Sequence, residues 1–280
     1  MASKTKGEQV AFLAARRRHP AARALLLLLA LFVMGALSTL LAPGQQSSAD
    51  TGTSQQVSQG KALFAVQCAS CHGLNGEGQT TNTIQGPPLA GVGAASVEFQ
   101  VGTGRMPLAQ PAVQAPVHPV RFNDAEIAAM AAYVATLGPG PGIPAPEEYS
   151  TAGISQENVA RGGELFRTNC SACHNFEGAG GALPGGKYAP SLLKTSNVHI
   201  YEAMVTGPQQ MPVFNDDVLR PEDKKAIIAY LNDLHSRPNQ GGLDLGGLGP
   251  VSEGLWAWII GIGGLVAFAV WIAAKGVKAK

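Results

Sequence analysis

The sequence predicts an all-α protein in which two tandem helical domains lie between two transmembrane helices. Three observations support this fold class: an apolar run near each end of the chain, an internal repeat between those runs, and helical spacing of apolar residues at the end of each repeat. The 280 residues are enough for two small folded units with membrane anchors.

Each apolar run is long enough to cross a membrane as a helix, since about 20 residues are needed. Residues 24–42 carry no charge, and residues 255–274 form a second uncharged run that contains all three tryptophans. Trp256 and Trp258 stand at one end of the second run and Trp271 at the other. Tryptophans placed in this way are typical of the two interfaces of a bilayer, so we expect 255–274 to span the membrane in contact with lipid.

The first run has an alternative interpretation as a cleavable signal peptide, because a basic tail at 1–23 precedes it and small residues follow at 47–49. The run is longer than the usual signal core of about 7–15 residues, which favours a retained anchor. In both cases the positive-inside rule leaves 1–23 and 275–280 in the cytoplasm. We therefore expect a cell-membrane protein with two spans, whose middle part lies on the extracytoplasmic side.

The charge distribution argues against a nucleic-acid partner. Between residues 50 and 250 there are 17 Asp and Glu against 11 Lys and Arg, and the remaining basic residues cluster at the two ends of the chain. An acidic middle offers no basic surface for phosphates.

The middle of the chain is a duplication with an offset of 102 residues. Gly60 and Phe64 match Gly162 and Phe166. The repeat predicts a first domain at 57–137 and a second at 159–234, with a Pro-rich linker at 138–156 and a Gly-rich tether at 236–254.

Both repeats end in a predicted helix. Asn123 and Glu126 have the spacing of a capping pair, and Gly138 is a candidate stop signal. Pro221 suits the first turn of the corresponding helix in the second repeat.

Each repeat carries one Cys-x-x-Cys-His motif, and the two motifs use all four cysteines of the chain. A single motif of this kind is also compatible with a redox dithiol or half a zinc site. Two copies in an exported chain favour covalent attachment of haem c, because two thiols at this spacing can bond to the vinyl groups of one haem. We expect two haems, bound by Cys68 and Cys71 and by Cys170 and Cys173.

The iron of each haem needs two axial ligands. The motifs supply His72 and His174, and a Met-Pro pair lies at a similar place in each repeat. Methionine is a known partner of histidine in cytochromes c, so Met106 and Met211 are the predicted second ligands. Other candidates are Met130, Met204, His118 and His199, of which Met130 aligns with Ile227 and is therefore expected in the core.

These residues resemble class I cytochrome c domains, twice over. In that family the first helix carries a glycine and an aromatic residue, and it crosses a last helix with an aromatic residue, here Tyr133 or Tyr230. The resemblance further implies that a proline carbonyl holds the histidine of the motif, a role that fits Pro88 and Pro190.

The whole chain resembles the dihaem cytochrome c subunit of the actinobacterial menaquinol–cytochrome c reductase. This resemblance implies an electron-transfer subunit without independent catalysis. Its partners would be cytochrome b, a Rieske iron–sulfur protein as electron donor, and the copper centre of an aa-type oxidase as acceptor. The alternatives are a dihaem subunit of a cbb-type oxidase or membrane dehydrogenase, and a dihaem peroxidase, which would need an iron with an open position.

Overall fold

The computed structural model describes residues 20–41, 53–81, 85–237 and 250–276, and this part of the chain is mostly helical. Most of the predicted basic tail, at 1–19, and most of the predicted tether, at 238–249, lie outside the described residues.

The first helix of the described chain, α1, spans Pro20–Leu41, and the side chains described within it, at 24–34, are exposed. The last helix, α11, spans Pro250–Gly276. Within the described residues, the segment Ser252–Lys275 of α11 is long and apolar enough to cross a membrane, and none of it is buried against the protein. The shorter stretch Ala24–Met34 is also apolar. The structure thus supports one candidate span directly, at the place where the sequence predicts 255–274.

Residues 53–137 are here called the first unit, and their described part contains four helices and a pair of short strands. In order they are α2 (Ser54–Gln67), α3 (Ala69–His72), β1 (Gln79–Thr80), β2 (Gln85–Gly86), α4 (Gly93–Gly102) and α5 (Asp124–Ala135). Strands β1 and β2 are antiparallel, with Gln79 opposite Gly86.

Residues 155–237, here called the second unit, repeat this order. They contain α7 (Gln156–Asn169), α8 (Ser171–His174), β3 (Gly181–Leu183), β4 (Lys187–Ala189), α9 (Asn197–Thr206) and α10 (Pro221–Ser236). Strands β3 and β4 are antiparallel, with Ala182 opposite Tyr188, and a 3₁₀ turn at Pro184–Gly186 joins them.

The helix ends agree with the local sequence signals. Asn123 and Glu126 form the reciprocal capping box, with both hydrogen bonds at 3.0 Å. Pro221 is the first residue of α10, where its missing N–H costs nothing. Helix α5 ends at Ala135, before Gly138, and the N–H of Thr136 caps it by donating to Tyr133.

In each unit the first and last helices pack closely because glycine lets their backbones meet. A Cβ on Gly60 would lie 1.8 Å from the carbonyl oxygen of Ala129, and one on Gly162 would lie 1.9 Å from that of Ala226. Beside these crossings Phe64 packs on Tyr133 and Phe166 packs on Tyr230, with ring centroids 5.2 and 5.8 Å apart.

The two cores differ in composition. The first unit has two small buried clusters, one around Phe64 and Tyr133 and one around Met130 and Ile127. The second unit has a single larger cluster, built from Phe166, Ile200, Tyr201, Met204, Phe214, Leu219, Ile227, Ile228 and Leu231.

The predicted linker at 138–156 contacts both units. It includes a short helix, α6 (Pro146–Tyr149). The carbonyl of Pro141 accepts a hydrogen bond from the N–H of Ala95 in the first unit, at 3.1 Å. On the other side, Tyr201 of the second unit donates to Glu148 at 2.9 Å. The linker is therefore held at both ends by specific hydrogen bonds.

Candidate haem-binding sites

Both Cys-x-x-Cys-His motifs adopt the same single helical turn. The N–H of His72 donates to the carbonyl of Cys68, and the N–H of His174 donates to that of Cys170, each at 2.9 Å. In each unit the first cysteine also caps the preceding helix, by donating to the carbonyl of Phe64 or Phe166. The motif turn therefore starts directly at the end of the helix that takes part in the crossing.

The histidine of each motif is held by a proline carbonyl. His72 Nδ1 lies 2.8 Å from the oxygen of Pro87, and His174 Nδ1 lies 2.9 Å from that of Pro190. Because a carbonyl accepts, Nδ1 carries the proton in both rings. This tautomer leaves the Nε2 lone pair available for a metal.

The expectation that Pro88 holds His72 is wrong, whereas that for Pro190 is confirmed. The second unit has one more residue in its β-hairpin, so the offset changes from 102 before the hairpin to 103 after it. The hydrogen bonds record the change: Gly78 and Gly180 donate to their motif histidines, but Leu89 and Leu192 donate to Gly76 and Gly178. Pro87, one residue earlier, is thus the true counterpart of Pro190.

The two histidines differ in burial. His174 is 9% exposed, while His72 is only partly buried. Burial lowers the pKa of His174, and the hydrogen bond to Pro190 acts in the opposite direction without cancelling that effect. The neutral imidazole, which is the form that binds a metal, is therefore favoured at this position.

The first cysteine of each motif is unsuited to a redox dithiol. Burial, and secondarily Cys71, raises the pKa of Cys68 to about 11. Burial, and secondarily Cys173, raises the pKa of Cys170 to about 12. Catalytic redox cysteines instead have lowered pKa values, since the thiolate is the reactive form.

Met106 and Met211 pack on the same apolar cluster as the first cysteine of their own unit. Met106 and Cys68 both contact the cluster of Val101, Ile127 and Met130. Met211 and Cys170 both contact the large cluster of the second unit. Both methionines are partly buried. Each methionine side chain therefore lies at the edge of its core, where it could contact a haem bound to the cysteines of the same unit.

The backbone holds the two methionines differently. The N–H of Met106 donates to the carbonyl of Gln100 at 2.9 Å, just after α4 ends. The N–H of Met211 donates to Pro208 at 3.0 Å, after Gly207 closes α9 in the left-handed conformation with φ 59°. The glycine found four residues before each methionine therefore acts as a left-handed cap in the second unit, but Gly102 lies inside the helical range of α4.

Three of the other candidate ligands lie in the cores or on the surface. Met130 and Met204 are 1% and 2% exposed and fill the two cores, as the alignment of Met130 with Ile227 predicts. His118 is exposed.

His199 lies beside Glu98 and Glu202, at the contact between α4 and α9. Sequence reasoning missed this group. A signal was present, since each glutamate is the sixth residue of its helix and the only charged residue in the sequence of that helix apart from His199.

Comparison with known proteins identifies both units. Residues 57–138 match the family model described as cytochrome c, and residues 157–231 match the model described as cytochrome C oxidase, cbb3-type, subunit III. Each match contains one of the two motifs.

Curated relatives match nearly the whole chain. The cytochrome bc1 complex cytochrome c subunit of Corynebacterium efficiens is 43% identical over 270 residues, which cover 92% of this chain and 90% of the relative. The protein of the same name from Mycobacterium tuberculosis is 44% identical over 263 residues, 93% of each chain. The chain belongs to this family, the cytochrome c subunits of the cytochrome bc1 complex. Membership of a cytochrome c family, with cysteines and histidines placed as described, implies covalently bound haem c and a role in electron transport.

A solved structure of the Kuenenia stuttgartiensis reducing HAO-like protein complex is 15% identical and has a TM-score of 0.37, covering 63% of this chain and 95% of that one. At that score the likeness supports no conclusion about fold or function.

Proposed function

We propose that this chain is the dihaem cytochrome c subunit of a respiratory quinol–cytochrome c reductase. Cys68 and Cys71 would hold one haem c by thioether bonds, and Cys170 and Cys173 would hold the other. The iron would be bound by His72 and Met106 in the first unit, and by His174 and Met211 in the second.

The observation that carries this proposal is the pair of equivalent histidines, each with Nδ1 bound to a proline carbonyl and Nε2 left free. A haem with both axial positions filled by protein supplies one-electron transfer and has no free position for substrate. The residues of the chain would then bind, orient and shield the group. The helix crossing fixes the motif turn, and the apolar clusters exclude water from the methionine side.

We further propose that the electron donor is a Rieske iron–sulfur protein, that cytochrome b is a neighbouring subunit, and that the acceptor is the copper centre of an aa-type oxidase. Two haems in one chain would span the distance that a separate soluble carrier covers in other systems. Relatives named as subunits of a bc1 complex at more than 90% coverage support the choice of complex. The subunit itself would catalyse no reaction independently.

Purification of the complex in mild detergent tests this assignment. We expect a b-type cytochrome and a Rieske protein to copurify with the chain in equal amounts. Copurification with a copper-containing, b-type haem oxidase but without a Rieske protein would contradict the assignment and favour a cbb-type oxidase subunit. The family match at 157–231 is the observation on which that second candidate rests, but it covers one unit, whereas the bc1 relatives cover both.

The topology that we propose has two spans, one at 24–42 and one at 255–274, with both haem units on the extracytoplasmic side. The fully exposed apolar surface of Ser252–Lys275 supports the second span, because lipid is the natural cover for it. Lys275 packs over the ring of Trp271 at 4.8 Å, as an interfacial anchor does. Protease protection in sealed vesicles should place residues 53–237 outside and 277–280 inside, and N-terminal sequencing will show whether the first segment is retained.

A further inference from the structure

The contact between the two units brings together three side chains that have no part in the haem sites. Glu98 comes from α4 of the first unit, and His199 and Glu202 come from α9 of the second. The two glutamates occupy equivalent places in equivalent helices, and His199 lies one turn before Glu202 on the same helix. The group therefore lies on the seam between the repeats.

The carboxyl group of Glu202 is fully buried. It is 0% exposed, and neither of its carboxylate oxygens has a hydrogen-bond partner. Oε2 of Glu98 is also buried and makes no hydrogen bond, although His199 Nε2 lies 3.4 Å from it, and the side chain of Glu98 is 24% exposed. Among the side chains that the structure describes, neither glutamate forms an ion pair with a lysine or arginine. Burying a carboxyl group without a hydrogen-bond partner costs about 1–3 kcal/mol, and more if the group is ionised.

The pKa values of the two glutamates are shifted in opposite directions. Burial, and then the neighbouring Glu98, raises the pKa of Glu202 to about 11. Burial acts to raise the pKa of Glu98 as well, but His199 and Glu202 outweigh it and the pKa falls below its usual range. A bound cation would reverse the effect on Glu202, because it favours the ionised carboxylate.

The ligand atoms of the three side chains are close enough together for one small cation to reach all of them. One ligand atom from each of the three residues can be chosen so that all lie within 4.8 Å of one another. His199 Nε2 is 3.4 Å from Oε2 of Glu98, longer than a charge-assisted hydrogen bond of about 2.7–2.9 Å. Ligands bound tetrahedrally at about 2.0–2.2 Å from a zinc ion lie roughly 3.3–3.6 Å apart.

We propose that Glu98, His199 and Glu202 bind one divalent transition-metal cation, of the class of Zn²⁺, and that this ion joins the two units. The donor set of one imidazole nitrogen and two carboxylates suits zinc and its neighbours, whereas Ca²⁺ and Mg²⁺ prefer oxygen ligands throughout. Three protein ligands leave the fourth tetrahedral position to water. The ion would displace the proton of Glu202 to the solvent, and the two carboxylates would then balance its charge.

The ring of Phe99 shields the site on one side. It meets His199 edge to face, with centroids 6.1 Å apart, and orients the imidazole. The ion would tie α4 to α9 through bonds that do not depend on haem attachment. The site therefore goes beyond the proposed electron-transfer function and is tested separately from it.

The test uses the full-length, haem-loaded protein in detergent, without a histidine tag. The protein is treated with EDTA, dialysed against Zn²⁺ alone, and analysed for zinc and iron by mass spectrometry. Covalent haem retains its iron, which gives the protein concentration and reports intact folding. We expect one zinc per chain in addition to the haem iron, retained in the presence of excess Ca²⁺ or Mg²⁺.

Two variants each remove one ligand, and two others are matched controls. Glu202→Gln and His199→Gln should each weaken zinc binding at least tenfold, since each removes a direct ligand. Glu164→Gln and His118→Gln change the same residue types at exposed positions and should bind zinc like the wild type. Zinc should also raise the melting temperature of the wild type and the controls, but not that of the ligand variants.

The proposal is overturned if the wild-type protein takes up no zinc. It is also overturned if either ligand variant, with its haem spectrum intact, binds zinc with wild-type affinity. Displacement of the bound zinc by equimolar Ca²⁺ would overturn the assignment to a transition metal. Because His199 is 20% exposed, its substitution leaves a folded protein to measure even if Glu202→Gln does not.

Discussion

The first and second units build the same histidine position from different cores. In both, glycine lets the first and last helices meet, the first cysteine of the motif caps the first helix, and a proline carbonyl holds Nδ1 of the histidine. Apart from the Phe–Tyr pair at each crossing, the buried side chains of the two units differ. The first unit has a divided core with three buried alanines in α5, while the second has one continuous cluster.

The polar contacts at the helix crossings differ in the same way. In the second unit Arg161 Nε donates to Asp223 at 2.7 Å and so links α7 to α10. The corresponding positions in the first unit are Gln59 and Glu126, and Glu126 is used in the capping box. The backbone of the helix crossing and the motif loop therefore position the histidine, whereas the side chains of the remaining core differ between the units.

The largest expected effect comes from removing one pair of cysteines at a time. Replacing Cys68 and Cys71 with serine should remove one of two haems, and the same change at Cys170 and Cys173 should remove the other. We expect a larger loss of helix content when the haem of the first unit is removed, because the divided core of that unit is smaller and depends more on the haem. Haem stoichiometry by mass spectrometry and helicity by circular dichroism measure both effects. Equal loss of helix in the two variants would contradict the difference between the cores.

Changing one predicted methionine ligand should alter one haem and leave the other intact. Met106→His and Met211→His should each lower the potential of a single haem by a sizeable part of the roughly 0.8 V range that axial ligands span. Each should also abolish the weak thioether-to-iron absorption of that haem. Met204→Leu replaces a methionine in the core; it is the control and should leave both reduction potentials unchanged. If both variants have the reduction potentials of the wild type, Met106 and Met211 are not the ligands.

The glycines at the helix crossing should tolerate no side chain. Gly60→Ala and Gly162→Ala would each place a Cβ within 2 Å of a backbone carbonyl, so we expect a loss of about 3 kcal/mol in the free energy of unfolding. Gly254→Ala is the matched control, because a Cβ there meets nothing within 4 Å. Urea unfolding followed by haem absorbance measures the difference. Similar stability of all three variants would show that the helices do not approach as described.

The smallest effect concerns the ion pair found in the second unit. The hydrogen bond from Arg161, the largest contribution, keeps the pKa of Asp223 below its usual range, although burial opposes it. A lowered native pKa stabilises the fold above the unfolded value of about 4, and that stability is lost as the pH falls through the native pKa.

Asp223→Asn should therefore cost about 1–2 kcal/mol at pH 7, and the difference from wild type should shrink near pH 3. Glu126→Gln, at the corresponding place in the first unit, keeps the capping box and should change stability by less than about 0.5 kcal/mol. Urea unfolding of both variants at the two pH values measures these differences. A cost for Asp223→Asn that is the same at pH 7 and pH 3 would show that its charge is not involved.

The sequence was sufficient to predict the helical repeat, the capping box, the core position of Met130 and the glycines of the crossing. These features depend on local spacing or on residues that recur at a fixed offset. The partner of His72 was wrongly predicted because one extra residue in a hairpin changes the offset, and an alignment by a single offset does not contain that information. The group of Glu98, His199 and Glu202 was missed because it forms between the two units, and a repeat describes each unit in isolation.

The intact mass of the denatured, purified chain shows whether both motifs carry haem. We expect a polypeptide with two covalently attached haems, one on the peptide containing Cys68 and Cys71 and one on the peptide containing Cys170 and Cys173. A mass with a single haem, or with free thiols or disulfides at either motif in mature protein, would contradict the claim that both units hold the same cofactor.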